Sequence, residues 1–231
     1  MKATRFSALV AIATAVLTPV LVQAQLAGKF VFTPYAGVFV PSGDLGRLTV
    51  NEAGTAATLS ARHQTAVALG STGSFWITDR VALEGGVVYS GSDLKSKGLL
   101  NETGSVTQSS FKDHANVWLV STKVLVQLLP SESDYNLRLG FGPALITRNG
   151  SAYKDIEGKY TGLTDMGAAI SLCSRLRLTD NLGLRLRAED YVYQAKVGFK
   201  SDVNPSNNIT LDERRQSDFV FSLGFQMFLN R

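Results

Sequence analysis

The side chains best equipped for chemistry are few in this chain. Histidine occurs only at His63 and His114, with Ser60, Ser109, Ser110 and Asp113 close by in sequence. A serine, a histidine and a carboxylate can act as nucleophile, base and orienting acid, but only within hydrogen-bond reach of one another. Neither histidine has a spacing that specifies such a set, so both are expected as ordinary loop-rim residues and no catalytic residue is assigned. The single cysteine, Cys173, can form no intrachain disulfide and reads as a small packed side chain. No His, Cys or carboxylate group has metal-ligand spacing. No glycine-rich phosphate loop occurs either. Neither a metal nor a cofactor is expected. Asn101-Glu102-Thr103, Asn149-Gly150-Ser151 and Asn208-Ile209-Thr210 match the glycosylation pattern, but in stretches already rich in these residues. Net charge is +4 and spread along the chain. No basic block interleaved with aromatics is present, so nucleic acid is not an expected partner.

A second group carries charge without obvious reactivity: Glu84, Lys123, Arg138, Arg175, Arg185, Arg187 and Glu189. Each falls on the polar face of a segment with period-two hydrophobicity, the mark of a strand with two different faces. The clearest such segment is the last. Phe219, Phe221, Leu223, Phe225 and Met227 oppose Ser222, Gly224 and Gln226. From Leu182 onward, Leu182, Leu184, Leu186 and Ala188 oppose Arg185, Arg187 and Glu189. Similar alternation runs through Val81–Val87, Trp118–Leu128, Tyr135–Phe141 and Ile170–Leu178. Phe30–Val40 and His63–Ile77 alternate weakly and are placed by the spacing of their neighbours.

Short turn signals at Thr78-Asp79-Arg80, Pro130–Asp134 and Thr179-Asp180-Asn181 alternate with long polar stretches. The latter are Pro41–Arg62, Ser92–Asp113, Arg148–Asp165 and Gly198–Arg214, rich in loop-forming residues. Seven connections join about eight strands, with long loops at one end and tight turns at the other, as in outer-membrane barrels. Upstream, Lys2 and Arg5, the apolar run Phe6–Val22 and the site Val22-Gln23-Ala24 read as a signal peptide over residues 1–24. The barrel domain is then residues 25–231. The fold class is all-β: one antiparallel up-and-down transmembrane barrel.

A soluble lipocalin-like carrier would turn its apolar face inward. The inverted arrangement is favoured by polar faces that pair Gly and Ala with opposite charges. His114–Leu129 also exceeds the usual strand of about 5–6 residues. Tyr35, Trp76, Trp118, Tyr135, Tyr191, Tyr193 and Phe219 are expected in girdles towards strand ends. Leu184, Leu186, Phe219, Phe221, Leu223 and Phe225 are then lipid-facing. The seven charges share one narrow interior, where crowding favours an ion-pair network of Glu84 and Glu189 with the surrounding cations; separate solvation by lumen water is the alternative. Pro34 is tolerable early in its strand, whereas Pro143 has no edge to occupy and is expected at a bulge.

The units Phe75-Trp76-Ile77-Thr78-Asp79-Arg80-Val81-Ala82-Leu83 and Leu176-Arg177-Leu178-Thr179-Asp180-Asn181-Leu182-Gly183-Leu184, with the opening Pro34-Tyr35-Ala36-Gly37, resemble those of small OmpA/OmpX-like outer-membrane barrels. The resemblance implies eight strands, both termini in the periplasm, and a mostly non-enzymatic role in envelope structure or surface contact. It implies outer-membrane lipid, lipopolysaccharide and the barrel assembly machinery as partners. A narrow solute channel is the alternative. Some barrels of this kind act on lipid A. His63-Gln64-Thr65 and His114-Ala115-Asn116 lack the serine two residues on that resembles a deacylase. Family members usually end on an aromatic residue, whereas this sequence runs through Phe228 and Leu229 to Asn230 and Arg231.

Overall fold

The computed structural model describes residues 26–52, 55–102, 105–130, 134–153, 163–179, 181–195 and 208–229. The expected signal segment lies outside them. So do 154–162, 196–207, Asn230 and Arg231. Among the described residues, eleven strands form one antiparallel sheet. In chain order they are β1 (Phe30–Val40), β2 (Gly46–Glu52), β3 (Thr55–His63), β4 (Ala66–Trp76), β5 (Val81–Glu102), β6 (Ser105–Gln127), β7 (Tyr135–Asn149), β8 (Leu163–Arg177), β9 (Leu182–Gln194), β10 (Asn208–Glu213) and β11 (Arg215–Phe228).

Eight of them close into a ring. β1 pairs with β4, the pairing runs on through β5, β6, β7, β8, β9 and β11, and β11 returns to β1. Closure removes every unpaired edge from the wall, which a spanning sheet requires. The tight turns use matched chemistry. Thr78 Oγ1 accepts from the amides of Arg80 (3.2 Å) and Val81 (3.0 Å), and Thr179 Oγ1 accepts from Leu182 (3.1 Å). In both turns a threonine stands at the start and its hydroxyl substitutes for a missing ladder partner.

Alternation sorts the two faces with little exception. On β11, Gln216, Asp218, Val220, Ser222 and Gln226 are buried, while Phe219, Phe221, Leu223 and Phe225 are exposed on the outside. Leu186 is exposed on β9 and Leu184 is half-buried there. The barrel is thus apolar outside and polar within, the reverse of a soluble carrier.

Two corrections concern the wall and its connections. Pro143 marks no bulge: the β6–β7 register is the same before Ser121↔Ala144 and after Val124↔Phe141, and the ladder omits the two pairs between. Proline has no N–H to contribute there. The strands close up at the gap, since a Cβ on Gly142 would stand 2.0 Å from the Thr122 carbonyl oxygen. The β1–β11 ladder skips two pairs in the same way at Pro34. Second, the stretches expected as loops hold strands. Pro41–Arg62 contains β2 and most of β3, Gly198–Arg214 contains β10, and Ser92–Asp113 is the upper half of the β5–β6 hairpin. β3 escaped periodicity because Thr falls at both odd and even positions (Thr55-Ala56-Ala57-Thr58-Leu59-Ser60), whereas β2 and β10 are short, with two alternating apolar residues each (Leu48 and Val50, Ile209 and Leu211), and lie in otherwise polar stretches. Beyond the ring, β10-β2-β3-β5-β6 form a five-stranded sheet.

Candidate functional site

Inside the barrel, five charged side chains converge. Glu84 on β5 stands in direct register with Lys123 on β6. Arg185, Arg187 and Glu189 follow at alternate positions of β9, so one strand face delivers all three. Glu84 Oε2 accepts from Arg185 Nη2 at 2.9 Å and Arg187 Nη2 at 3.0 Å, and Ser74 Oγ donates to it at 2.9 Å. Lys123 Nζ lies 3.4 Å from Glu84 Oε1 and pairs with Glu189 Oε1. Arg187 Nη1 closes the circuit to Glu189 at 3.3 Å. Thr72 Oγ1 accepts from Arg185 (3.4 Å) and Arg187 (3.2 Å), and Cys173 Sγ accepts from Arg185 Nη2 (3.2 Å).

Arg138 and Arg175 are not drawn into this circuit. Arg138 donates to Gln226 Oε1 at 3.1 Å and stacks 4.7 Å from the Trp76 ring, and Arg175 stacks 4.9 Å from the Phe228 ring. Two carboxylates already serve three cations, so these two guanidinium groups use aromatic faces instead.

The charged layer is sealed on both sides. Towards the tight turns lie Leu26, Val31, Trp76, Ala82 and Leu125. Towards the long connections, Tyr35, Phe39, Leu119, Ile146, Tyr191 and Val220 fill the interior. Tyr35, Trp76, Tyr191 and Tyr193 are therefore buried inside the barrel rather than in exterior girdles, whereas Trp118, Tyr135 and Phe219 are exposed outside. The signal was present in the sequence: Tyr191 and Tyr193 share parity with Arg185, Arg187 and Glu189.

A polar group caps this plug at the long-connection end. Arg148 pairs with Asp165, and Tyr193 donates to Asp218 Oδ2 at 2.6 Å. The Tyr153 hydroxyl lies 2.8 Å from His63 Nε2. His63 is buried; desolvation, helped by the nearby Arg148 cation, holds its pKa down at about 3. Burial likewise pushes the Tyr153 hydroxyl up to about 12. His114 is exposed in the outer sheet, where its Nδ1 lies 3.6 Å from Asp93 Oδ1. The two histidines thus stand apart, His63 against a tyrosine and His114 against a carboxylate.

Outside the ring, a cleft of about 610 Å³ opens where β3 leaves the barrel, lined by Ser60, Arg62, Gln64, Thr65, Lys95 and Lys97 among others. Sequence reading missed it, because its cations come from two stretches taken as separate loops.

No protein-family model and no curated protein matches the chain. Among solved structures, the outer membrane protein OprG from Pseudomonas aeruginosa is similar at a TM-score of 0.57 and 13% identity, covering 91% of this chain and 100% of that one. Neisserial surface protein A (NspA) is similar at a TM-score of 0.50 and 9% identity, covering 87% and 97%. The chain therefore has the fold of small bacterial outer-membrane β-barrels.

Proposed function

We propose that the chain is an integral outer-membrane barrel without enzyme activity, which holds a β-sheet platform at the cell surface. The tight turns and both chain ends would face the periplasm, and β2, β3, β10 and the upper β5–β6 hairpin would face outward. Outer-membrane lipid and lipopolysaccharide would surround the exterior, and the barrel assembly machinery would insert it. The observation that carries this reading over a channel is the interior: Glu84 and Lys123 have no solvent exposure, and apolar layers lie above and below them. Lipid A chemistry is not favoured, because His63 is buried and engaged by Tyr153.

Planar-bilayer recording tests it. The wild type should show no steady conductance of the size a water-filled pore gives. Phe39→Ala with Tyr191→Ala should open a small leak. That leak should favour anions, because Lys123, Arg138, Arg175, Arg185 and Arg187 outnumber Glu84 and Glu189 inside. Large cation-selective currents from the wild type would refute the closed-barrel reading.

A further inference from the structure

We propose that the cleft bounded by Arg62, Lys95 and Lys97 is a binding site for a phosphate group on the saccharide headgroup of an outer-leaflet glycolipid. The proposal rests on the membrane orientation given above.

The first support is register. Arg62 on β3 stands directly opposite Lys95 on β5, and Lys95 stands directly opposite Lys112 on β6. Like charges placed opposite across a ladder repel and weaken it. One repulsion is relieved within the chain: Asp93 lies 2.9 Å from Lys112 Nζ. Among the described residues no carboxylate stands within ion-pair distance of Arg62, Lys95 or Lys97. Asp44, the acid lining the cleft, is directed to Arg47 at 4.0 Å. A sheet that sets Arg62 opposite Lys95, with Lys97 two residues further along β5, has room for an anion beside the three. Arg62 is also steadied, since its Nη2 donates to the Pro41 carbonyl at 3.4 Å.

The second support is the shape and chemistry of the cleft. β3 and β4 share the same edge of β5, end to end, and the chain kinks between them at Gln64-Thr65. The Gln64 amide donates to the Asp93 carbonyl at 2.8 Å, and Ser92 Oγ donates to the Gln64 carbonyl at 2.7 Å, which fixes the kink. Ser60, Gln64 and Thr65 add neutral hydrogen-bonding side chains beside the three cations. Arg forks and Lys point charges over a polar floor are the groups that recognise phosphate oxygens.

The third support is height. On β5 the outward positions run Val81, Leu83, Val87 and Tyr89, then Asp93, Lys95 and Lys97. Tyr89 packs on the exposed Trp118 at 4.8 Å between ring centroids, as interfacial aromatics do. Lys95 is six residues further on, about 20 Å along the strand and roughly 15 Å above the girdle at a tilt of ~40°. Ordinary headgroup layers are only about 5–8 Å deep. A ligand at this height, on the lipid-facing side of the wall, therefore has an extended and phosphorylated headgroup.

The test uses the full chain purified in detergent with three probes: lipopolysaccharide, the same lipopolysaccharide dephosphorylated with hydrofluoric acid, and inorganic phosphate. Dephosphorylation should weaken binding at least tenfold. Arg62→Gln, Lys95→Gln and Lys97→Gln together should abolish that preference, and their exposed side chains leave the barrel intact. Lys112→Gln, which removes a cation already held by Asp93, should leave the preference unchanged. Equal affinity for the two lipopolysaccharide forms would overturn the proposal, as would an equal loss in Lys112→Gln. Inorganic phosphate binding as tightly as lipopolysaccharide at the same three residues would overturn the glycolipid assignment. A chain that stays out of the outer-membrane fraction of intact cells would instead overturn the membrane reading on which this one stands.

Discussion

Glu84 and Lys123 face each other in register across β5 and β6, 3.4 Å apart at Oε1 and Nζ, with neither side chain exposed to solvent. The pair is held inside a larger circuit, so neither residue can be removed without stranding others. Glu84→Ala leaves Lys123, Arg185 and Arg187 with Glu189 as the one remaining acid in the circuit. Losing one partner of a buried pair typically costs about 3–5 kcal/mol. Glu84→Ala combined with Arg185→Ala removes a cation with the anion, and should recover a substantial part of that loss. Urea unfolding of the refolded barrel, followed by migration on unboiled gels, gives the cycle. Additive losses would show that the charges are solvated separately.

The outer face gives a sharper contrast. Phe221, Phe225 and Phe111 are 52%, 53% and 65% exposed, so by solvent exposure they are equivalent. By position they are not: Phe221 and Phe225 lie on the ring, whereas Phe111 lies on β6 above it. Phe221→Arg or Phe225→Arg near the membrane midplane should cost roughly 2–4 kcal/mol. Phe111→Arg should stay within about 0.5 kcal/mol, as ordinary surface changes do. Unfolding from lipid vesicles measures all three. Equal costs would remove the lipid from the explanation.

Deleting Lys95–Lys112 should separate the platform from the barrel. That part of β5 pairs only with β3 and β6, and β7 takes over on β6 from Asn116. The ring should still form and migrate fast when unboiled. β3 would lose the partner that holds it, so residues 55–63 should become sites of protease cleavage. Loss of the compact form would mean that the upper hairpin is part of the barrel's stability.

What the sequence revealed, and what it hid, follows from the two faces of each strand. Where one face meets lipid and the other a packed interior, alternation is forced. β11 and β9 could be read residue by residue as strands with one apolar and one polar face. β2, β3 and β10 sit in stretches rich in Thr, Ser, Asn and Asp, with too short or too mixed a pattern to stand out, and so read as polar loops. Tyr35, Tyr191 and Tyr193 were misplaced for a different reason. An amphipathic aromatic suits either a girdle or a polar interior, and only parity with its neighbours decides. Counting residues up from each turn placed Arg138 and Arg175 beside Glu84. It ignored the fact that two acids can satisfy only so many cations. The cleft at Arg62 and Lys95 depends on the pairing of β3 with β5, which no local pattern encodes.

Acid should loosen the platform through His63. The imidazole, at the end of β3, is buried against Phe39 and Tyr153 and under the influence of Arg148, with its pKa held at about 3. In the undocked state it should titrate near the ordinary value of about 6.5. Because the docked pKa is the lower one, the undocked state binds more protons throughout the interval between the two. The contribution is therefore complete above pH 6.5 and is lost as pH falls from there towards 3. Each pH unit within that window shifts the docking equilibrium by up to a factor of ten against the packed sheet. Cleavage within residues 55–63 should rise as pH is lowered from 7 to 4, while the ring stays protected. His63→Gln cannot take up the proton and should flatten this response. Asp93, whose hydrogen bond to Lys112 holds its carboxyl below the usual range, should contribute little to this response. A cleavage rate that climbs equally in His63→Gln would assign the acid sensitivity to another group.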